Sequence, residues 1–256
     1  MKKIFIFVFI SILLTAGILP ANARDLVASM GQLPVLIEDK DKGPFVELVK
    51  AIDDVYTKGK IIREVYPFKR SLANVVDGKA DFHIPLIKNP LVSEDTLPFR
   101  YSSIPTGPVA FVIYSHKDNP LTKQDISDAA DSRDIPFPYQ IDTLQGHADF
   151  FNFPVVENYD FESALKRVSI KRIDAIIMPQ EECDSIIKKM KIKDIHRALY
   201  YEFDSMIILP KGIQGSETDL IITNALKQLK SEGQLEKINE KIHKPYIDWQ
   251  PYKDNF

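Results

Sequence analysis

The sequence predicts an α/β fold of two lobes, each a central, mostly parallel sheet flanked by helices, with two crossings of the chain joining them. Three observations carry that expectation. Short apolar runs alternate with helical stripes from residue 26 onward, the alternation recurs in a second unit, and a long helical pattern follows an apolar run near the end. Leu26-Val27-Ala28 reads as a short strand, with an irregular stretch from Ser29 to Pro34 after it. Gly43-Pro44 breaks the chain ahead of Phe45, Leu48, Val49, Ile52 and Val55, whose spacing of three and four marks the buried stripe of a helix. Ile61 to Tyr66 is a β-branched strand halted by Pro67. Leu72, Val75 and Val76 mark a helix stopped by Gly78, and Asp81 to Ile87 is the next strand. Strand, helix, strand, helix, strand is the order of a parallel sheet with crossover helices.

The second unit repeats the plan. Ile135 to Ile141 is strand-like, demoted towards an edge by Pro136 and Pro138, and a helix is expected to begin near Asp142-Thr143. Val155-Val156 forms a short strand, and Asp160 caps a helix through Phe161, Ala164, Leu165 and Val168. Ile173 to Met178 is a buried strand, and Glu181 to Met190 is helical. Val109 to Tyr114 and Ser205 to Leu209 are the expected connectors. A final helix from Leu220 to Ile242, interrupted by Gly233, is too long to lie free. Packed on the first unit, it makes the chain cross twice, which is a hinge. The resulting division is 24–110 with 208–256 as the first lobe and 111–207 as the second, a size suited to two cores.

Residues 1–23 are set apart. Met1-Lys2-Lys3, the apolar run Ile4 to Leu19 and Pro20-Ala21-Asn22-Ala23 are the three parts of a secretory signal peptide, cut after Ala23. A membrane anchor is the competing reading. A spanning helix needs roughly 20 apolar residues, and this run is shorter and holds Ser11, Thr15 and Gly17. No cysteine near the cut offers a lipid attachment point, so a diffusible periplasmic protein is expected. Without the leader, 31 Lys and Arg face 36 Asp and Glu. That mildly acidic balance with interspersed signs leaves no footprint for nucleic acid. The single Cys183 cannot form an internal disulfide.

Several motifs occur in an order that is similar to a known family. Gly43-Pro44-Phe45-Val46-Glu47-Leu48, Tyr66-Pro67-Phe68-Lys69-Arg70, Asp77-Gly78-Lys79-Ala80-Asp81 and Phe99-Arg100-Tyr101-Ser102 with Pro105 come first. Arg172-Ile173-Asp174-Ala175-Ile176-Ile177, then Leu209-Pro210-Lys211-Gly212 and Ala225-Leu226-Lys227-Gln228-Leu229 with Gly233, complete the set. Together they resemble the family 3 extracellular solute-binding proteins, the receptors of amino-acid-type ABC importers. The resemblance implies a type II periplasmic-binding fold that closes by hinge bending on a ligand between its lobes. It also implies an ABC permease in the inner membrane and a nucleotide-hydrolysing subunit as partners; no cofactor and no catalysis are expected, since catalytic motifs are missing. A monomer is expected.

In open parallel sheets, ligands sit beyond the carboxyl ends of the strands. That rule nominates Gln32 after the first strand, Tyr66, Phe68, Lys69 and Arg70 after the second, and Lys88 after the third. Arg100, Tyr101 and Thr106 lie near the hinge, and Thr143, Gln145, Gln180 and Glu181 belong to the second unit. Arg70 leads, because a guanidinium offers a rigid fork suited to a carboxylate and stands here at a helix start. Its alternative role is an ion pair with Asp81 or Glu64. One of Tyr66 and Phe68 is expected to wall the ligand while the other enters the core. Thr143 either caps a helix, donates to the ligand, or both.

Amino-acid-binding members of the family carry an arginine before the F-x-x-S step. Here Leu91-Val92-Ser93-Glu94-Asp95-Thr96 has none. They also carry an aspartate where this chain has Pro179, with Gln180 or Glu181 as shifted substitutes and Arg100, Lys88 or Lys69 as other cationic anchors. The sequence holds no Gly-x-Ser-x-Gly, no His-Glu-x-x-His and no Walker-type loop, and no metal-ligand spacing. Three functions stay open: a receptor for a small polar, anionic or zwitterionic ligand; a sensor partner of a membrane signalling protein; and a cyclic-acid dehydratase with Glu181 as general acid.

Overall fold

The computed structural model describes residues 24–33, 35–132, 136–158 and 160–253; the signal peptide expected at 1–23 lies outside the described residues. In the first lobe, β1 (Leu26–Gly31) lies between β2 (Ile61–Tyr66) and β3 (Phe82–Ile87) and is parallel to both. With a partner on each edge, β1 outruns its apolar signature and takes in Ser29, Met30 and Gly31. The crossovers are α1 (Pro44–Val55) and α2 (Phe68–Val76). Pro44 opens α1, where its missing N–H has no intrahelical partner to lose, and Phe45, Leu48, Val49 and Ile52 are buried as the spacing requires.

The chain leaves this lobe through β4 (Arg100–Tyr101) and β5 (Gly107–His116). The second lobe adds α3 (Lys123–Asp131), β6 (Ile141–Leu144), β7 (Val156–Asn158), α4 (Phe161–Ser169), β8 (Ala175–Pro179) and α5 (Gln180–Met190). Strands β7, β6 and β8 run parallel, and β5 closes the row antiparallel to β8. Two expectations fail here. The strand placed at Ile135–Ile141 lies at Ile141–Leu144, beyond the prolines. No α-helix starts at Asp142-Thr143; β6 runs through both and turns into a 3₁₀ turn at Ala148–Phe150. The apolar partners of β6 on both edges outweigh the capping preference of Thr143. Helix α3 escaped the sequence reading although Thr122 and Asp125 form a full capping box at its start.

Return is through β9 (Ile195–Leu209), which spans 15 residues. Its first part pairs antiparallel with β5, and its last part, Ser205 to Leu209, pairs with β3 and β4. One long strand therefore belongs to both sheets, giving the order β2-β1-β3-β9-β5-β8-β6-β7. The two expected connectors are the buried middle of β5 and the final stretch of β9, which form the hinge pair. Thr106 is pinned there: its buried Oγ1 lies 3.0 Å from both the backbone oxygen and Oγ of Ser205.

Each lobe has apolar layers on both faces of its sheet. In the first, α1, α6 (Ile213–Ser231) and α7 (Gln234–Ile242) cover one face around Leu26, Phe45, Ile52, Ile207 and Leu229. Helix α2 covers the other around Val75, Phe99 and Ile208. In the second lobe, α4 and α5 enclose Tyr114, Leu165, Ile176 and Ile187. The opposite face is unusually aromatic, with Phe111, Phe151, Phe153 and Phe203. The final helical pattern is two helices split at Gly233, whose φ of 67° is left-handed and favours glycine. Both rest on α1. No helix among the described residues is long and apolar enough to cross a membrane.

Candidate functional site

The carboxyl ends of β1, β2 and β3 meet at one end of the first lobe and build its part of the site. Pro67 ends β2 and precedes α2, so Phe68, Lys69 and Arg70 occupy the first turn of that helix. Gln32 lies beside them, its N–H donating to the Tyr66 backbone oxygen at 2.8 Å. Gly31 is needed at this junction, since a Cβ there would stand 2.6 Å from the Phe68 ring. Phe68 also meets the His83 ring edge-on at 5.1 Å, while the half-buried Tyr66 donates its hydroxyl to Glu64 at 2.9 Å.

Behind Arg70 runs a buried polar chain that no periodicity announced. His83 Nε2 lies 3.0 Å from the Pro85 carbonyl, which can only accept, so Nε2 carries the proton and Nδ1 is the acceptor. Ser71 therefore donates to Nδ1 at 2.7 Å, and Ser29 donates to Ser71 at 3.0 Å. Asn74 Nδ2 donates to Ser29 at 3.3 Å, which turns Asn74 Oδ1 towards Arg70 Nε, 3.4 Å away. Ser29, Ser71 and His83 are fully buried. Burial holds the His83 pKa down to about 4, against the pull of the Pro85 carbonyl, so the ring is neutral at pH 7. Serine beside neutral histidine superficially suggests nucleophilic chemistry, but complete burial keeps substrates away. The chain orients a side chain instead.

Arg70 itself is exposed, and among the described residues it makes no ion pair within 4.0 Å. Neither Asp81 nor Glu64 claims it: Asp81 is held by Arg24 at 2.8 Å and by the Val27 N–H. Among the described residues its two terminal nitrogens make no hydrogen bond. Lys69 is exposed next to it.

The other nominated residues separate into distinct places. Arg100 points to α6, where it pairs with Asp219 and Ser216 at 2.8 and 2.9 Å, so its guanidinium is already committed. Tyr101 is buried under Lys88, whose Nζ is 5.3 Å from the ring and 3.6 Å from Glu94. Thr143 caps nothing; it is buried and donates to the Ile177 carbonyl across β6 and β8 at 2.9 Å. Gln145 stands at the exit of β6, its N–H bonded to the Asn158 carbonyl. Gln180 and Glu181 open α5 and hold the backbone of Lys244, Gln180 through its amide and Glu181 through a carboxylate oxygen 3.2 Å from the N–H. Cys183 lies in the core beside them, and burial pushes its thiol pKa far up. Glu182 is half-buried, its buried Oε2 unpartnered among the described residues, and desolvation raises its pKa.

Facing the first lobe, the second presents the loop after β6. There His147 and Phe150 pack with Phe111 of β5 and Phe203 of β9, ring centroids 4.9 to 6.5 Å apart, and burial lowers the His147 pKa. Asn89, after β3, reaches across and donates to the Asp149 carbonyl at 2.8 Å. Two surface hollows of about 350 and 300 Å³ lie elsewhere, one over the start of β9 and one around Tyr139 and Lys171.

Among known proteins, no family model and no curated sequence matches this chain. Solved structures do. The GluR0 ligand-binding core from Nostoc punctiforme, solved with L-glutamate, is 17% identical with a TM-score of 0.61, covering 86% of this chain and all of its own. A probable amino-acid ABC transporter extracellular-binding protein from Bacillus subtilis, ytmK, is 16% identical at 0.61, with 86% of this chain and 97% of its own covered. A histidine kinase sensor domain similar to periplasmic binding proteins is 16% identical at 0.59, with 86% and 96% covered. The chain has the type II periplasmic-binding fold of amino-acid-type solute-binding proteins, as the motif order implied.

Proposed function

We propose that this chain is a solute-binding receptor of the periplasm that captures a small anionic ligand between its lobes and presents it to an ABC permease in the inner membrane. The lobes run over 24–110 with 208–243 and over 111–207, while residues from Lys244 on, expected with the first lobe, are held by the second. Arg70 carries the reading: an exposed guanidinium at the mouth of three strand ends, steered through Nε by a buried chain and left with an unfilled fork. Such a fork suits bidentate capture of a carboxylate or like anion. Tyr66, Phe68, Lys69 and Gln32 lie at the same strand ends, and Gln145 belongs to the second-lobe loop that Asn89 reaches through Asp149.

The ligand class differs from an ordinary α-amino acid. The position for an ammonium-binding carboxylate is Pro179, and the neighbouring Gln180 and Glu181 already hold the Lys244 backbone. An organic anion without a required amino group fits the remaining chemistry best. The binding physics would be the same for a sensor that hands its state to a membrane kinase. Thermal-shift screening against organic acids, amino acids, polyamines and small peptides tests the proposal, because tight binding raises the midpoint by mass action. Small-angle scattering then follows the best ligand. A raised midpoint with a smaller radius of gyration supports capture by closure, and an unchanged radius at saturation overturns it.

A further inference from the structure

Helix α7 ends against the first lobe. Lys241 pairs with Glu47 of α1 at 2.6 Å, the His243 ring meets Phe45 edge-on at 5.7 Å, and Asn239 lies against Gly107, where a Cβ would be 3.3 Å away. The very next residue is gripped by the second lobe, since Gln180 and Glu181 take both polar groups of the Lys244 backbone. Further along, Arg197 of β9 becomes the anchor. It is 1% exposed, and all five of its N–H donors are used. Nε and Nη2 fork onto Asp184 at 2.8 Å each, Nη2 also reaches Gln180 at 3.5 Å, and Nη1 binds the carbonyls of Ile247 and Trp249 at 3.1 and 2.7 Å. The Tyr246 and Trp249 rings lie 5.3 and 5.0 Å from its guanidinium carbon. Gln250 then brackets the Arg197 backbone, accepting from its N–H at 3.0 Å and donating to its carbonyl at 2.8 Å, as a neighbouring strand would.

We infer that residues 243–250 form a tether, a third link between the lobes beside β5 and β9, that limits how far the hinge opens. The segment between the anchors is short and without regular structure. Only Lys244, Pro245 and Tyr246 separate His243 on the first lobe from Ile247 on the second, and extended chain supplies at most ~3.5 Å per residue. Moving the start of α1 away from the start of α5 must draw on that small reserve or break the grip on Lys244. The inference rests on the two-lobed fold and is independent of which ligand is bound.

Its test uses the ligand-free full chain with spin labels at Asp54→Cys on α1 and Lys189→Cys on α5, both exposed, while the native Cys183 is buried. Distance distributions are measured by pulsed electron resonance before and after inserting Gly-Ser-Gly-Ser between His243 and Lys244. The insertion keeps both anchors and adds up to ~14 Å of reach. A shift towards longer distances supports the tether, and an unchanged distribution in a folded protein overturns it. Gln180→Ala with Glu181→Ala is the second variant, which should lengthen the distances by releasing Lys244. A lower melting temperature at unchanged distances would reduce the segment to a packing element.

Discussion

Arg70 and Arg197 are the same side chain in opposite circumstances. Arg197 is sealed in the second lobe with every donor engaged, between Asp184, two carbonyls and two aromatic faces. Arg70 is exposed on the first lobe and, among the described residues, its side chain makes a single hydrogen bond, to Asn74. A saturated guanidinium has nothing left to offer a ligand and much to lose on removal. An oriented but unfilled one contributes little to folding and is free to bind. Residue type alone does not tell the two apart; the inventory of donors does.

The contrast can be broken by mutation. Arg197→Ala strips the half-buried Asp184 of its guanidinium and unties the Ile247 and Trp249 carbonyls, and should cost about 3 kcal/mol, the low end for breaking a buried pair. Urea denaturation measures it, and a cost under 1 kcal/mol would show that the pair is solvated. Next comes pH. The His83 pKa is depressed from 6.5 to about 4 in the folded state, so the unfolded chain binds the extra proton first. Stability is then lost as pH falls through that window, by about 3 kcal/mol in total from this group, and no further below it. Replacing His83 with Gln, which can accept from Ser71 and donate to Pro85, should flatten that part of a stability–pH curve.

Arg70→Ala should leave unfolding within about 0.5 kcal/mol of the parent while weakening an anionic ligand by about 1.5–3 kcal/mol. Calorimetric titration and thermal melts read the two effects separately. Loss of stability without loss of affinity would exchange the roles of the two arginines. The smallest effect belongs to Ser29→Ala, which removes the link that turns Asn74 towards Arg70. It should cost about 1 kcal/mol of stability, with a fall in affinity that Ser29→Thr restores in part.

Much of this was legible in the chain. The stripe of Phe45, Leu48, Val49 and Ile52 and the β-branched run at Ile61–Tyr66 fixed α1 and β2, because local spacing and side-chain shape decide such elements. Pro67 likewise placed Phe68, Lys69 and Arg70 at a helix start. The reading failed where pairing overrode local signals. Thr143 resembles a cap yet lies inside β6, since the apolar neighbours of that strand are supplied from residues 156 and 175–177. Arg100 resembles a ligand anchor, and its partner Asp219 is more than a hundred positions away in sequence.

The amino-acid sequence by itself determined the alternation of strands and helices, the two-unit plan and the helix start that carries Arg70, since these depend on patterns a few residues long. Tertiary structure alone decided which polar groups are spent. The Ser29–Ser71–His83 chain and the Arg197 anchor join distant segments, and hydrogen-bond saturation is a property of three-dimensional neighbours that no local pattern records.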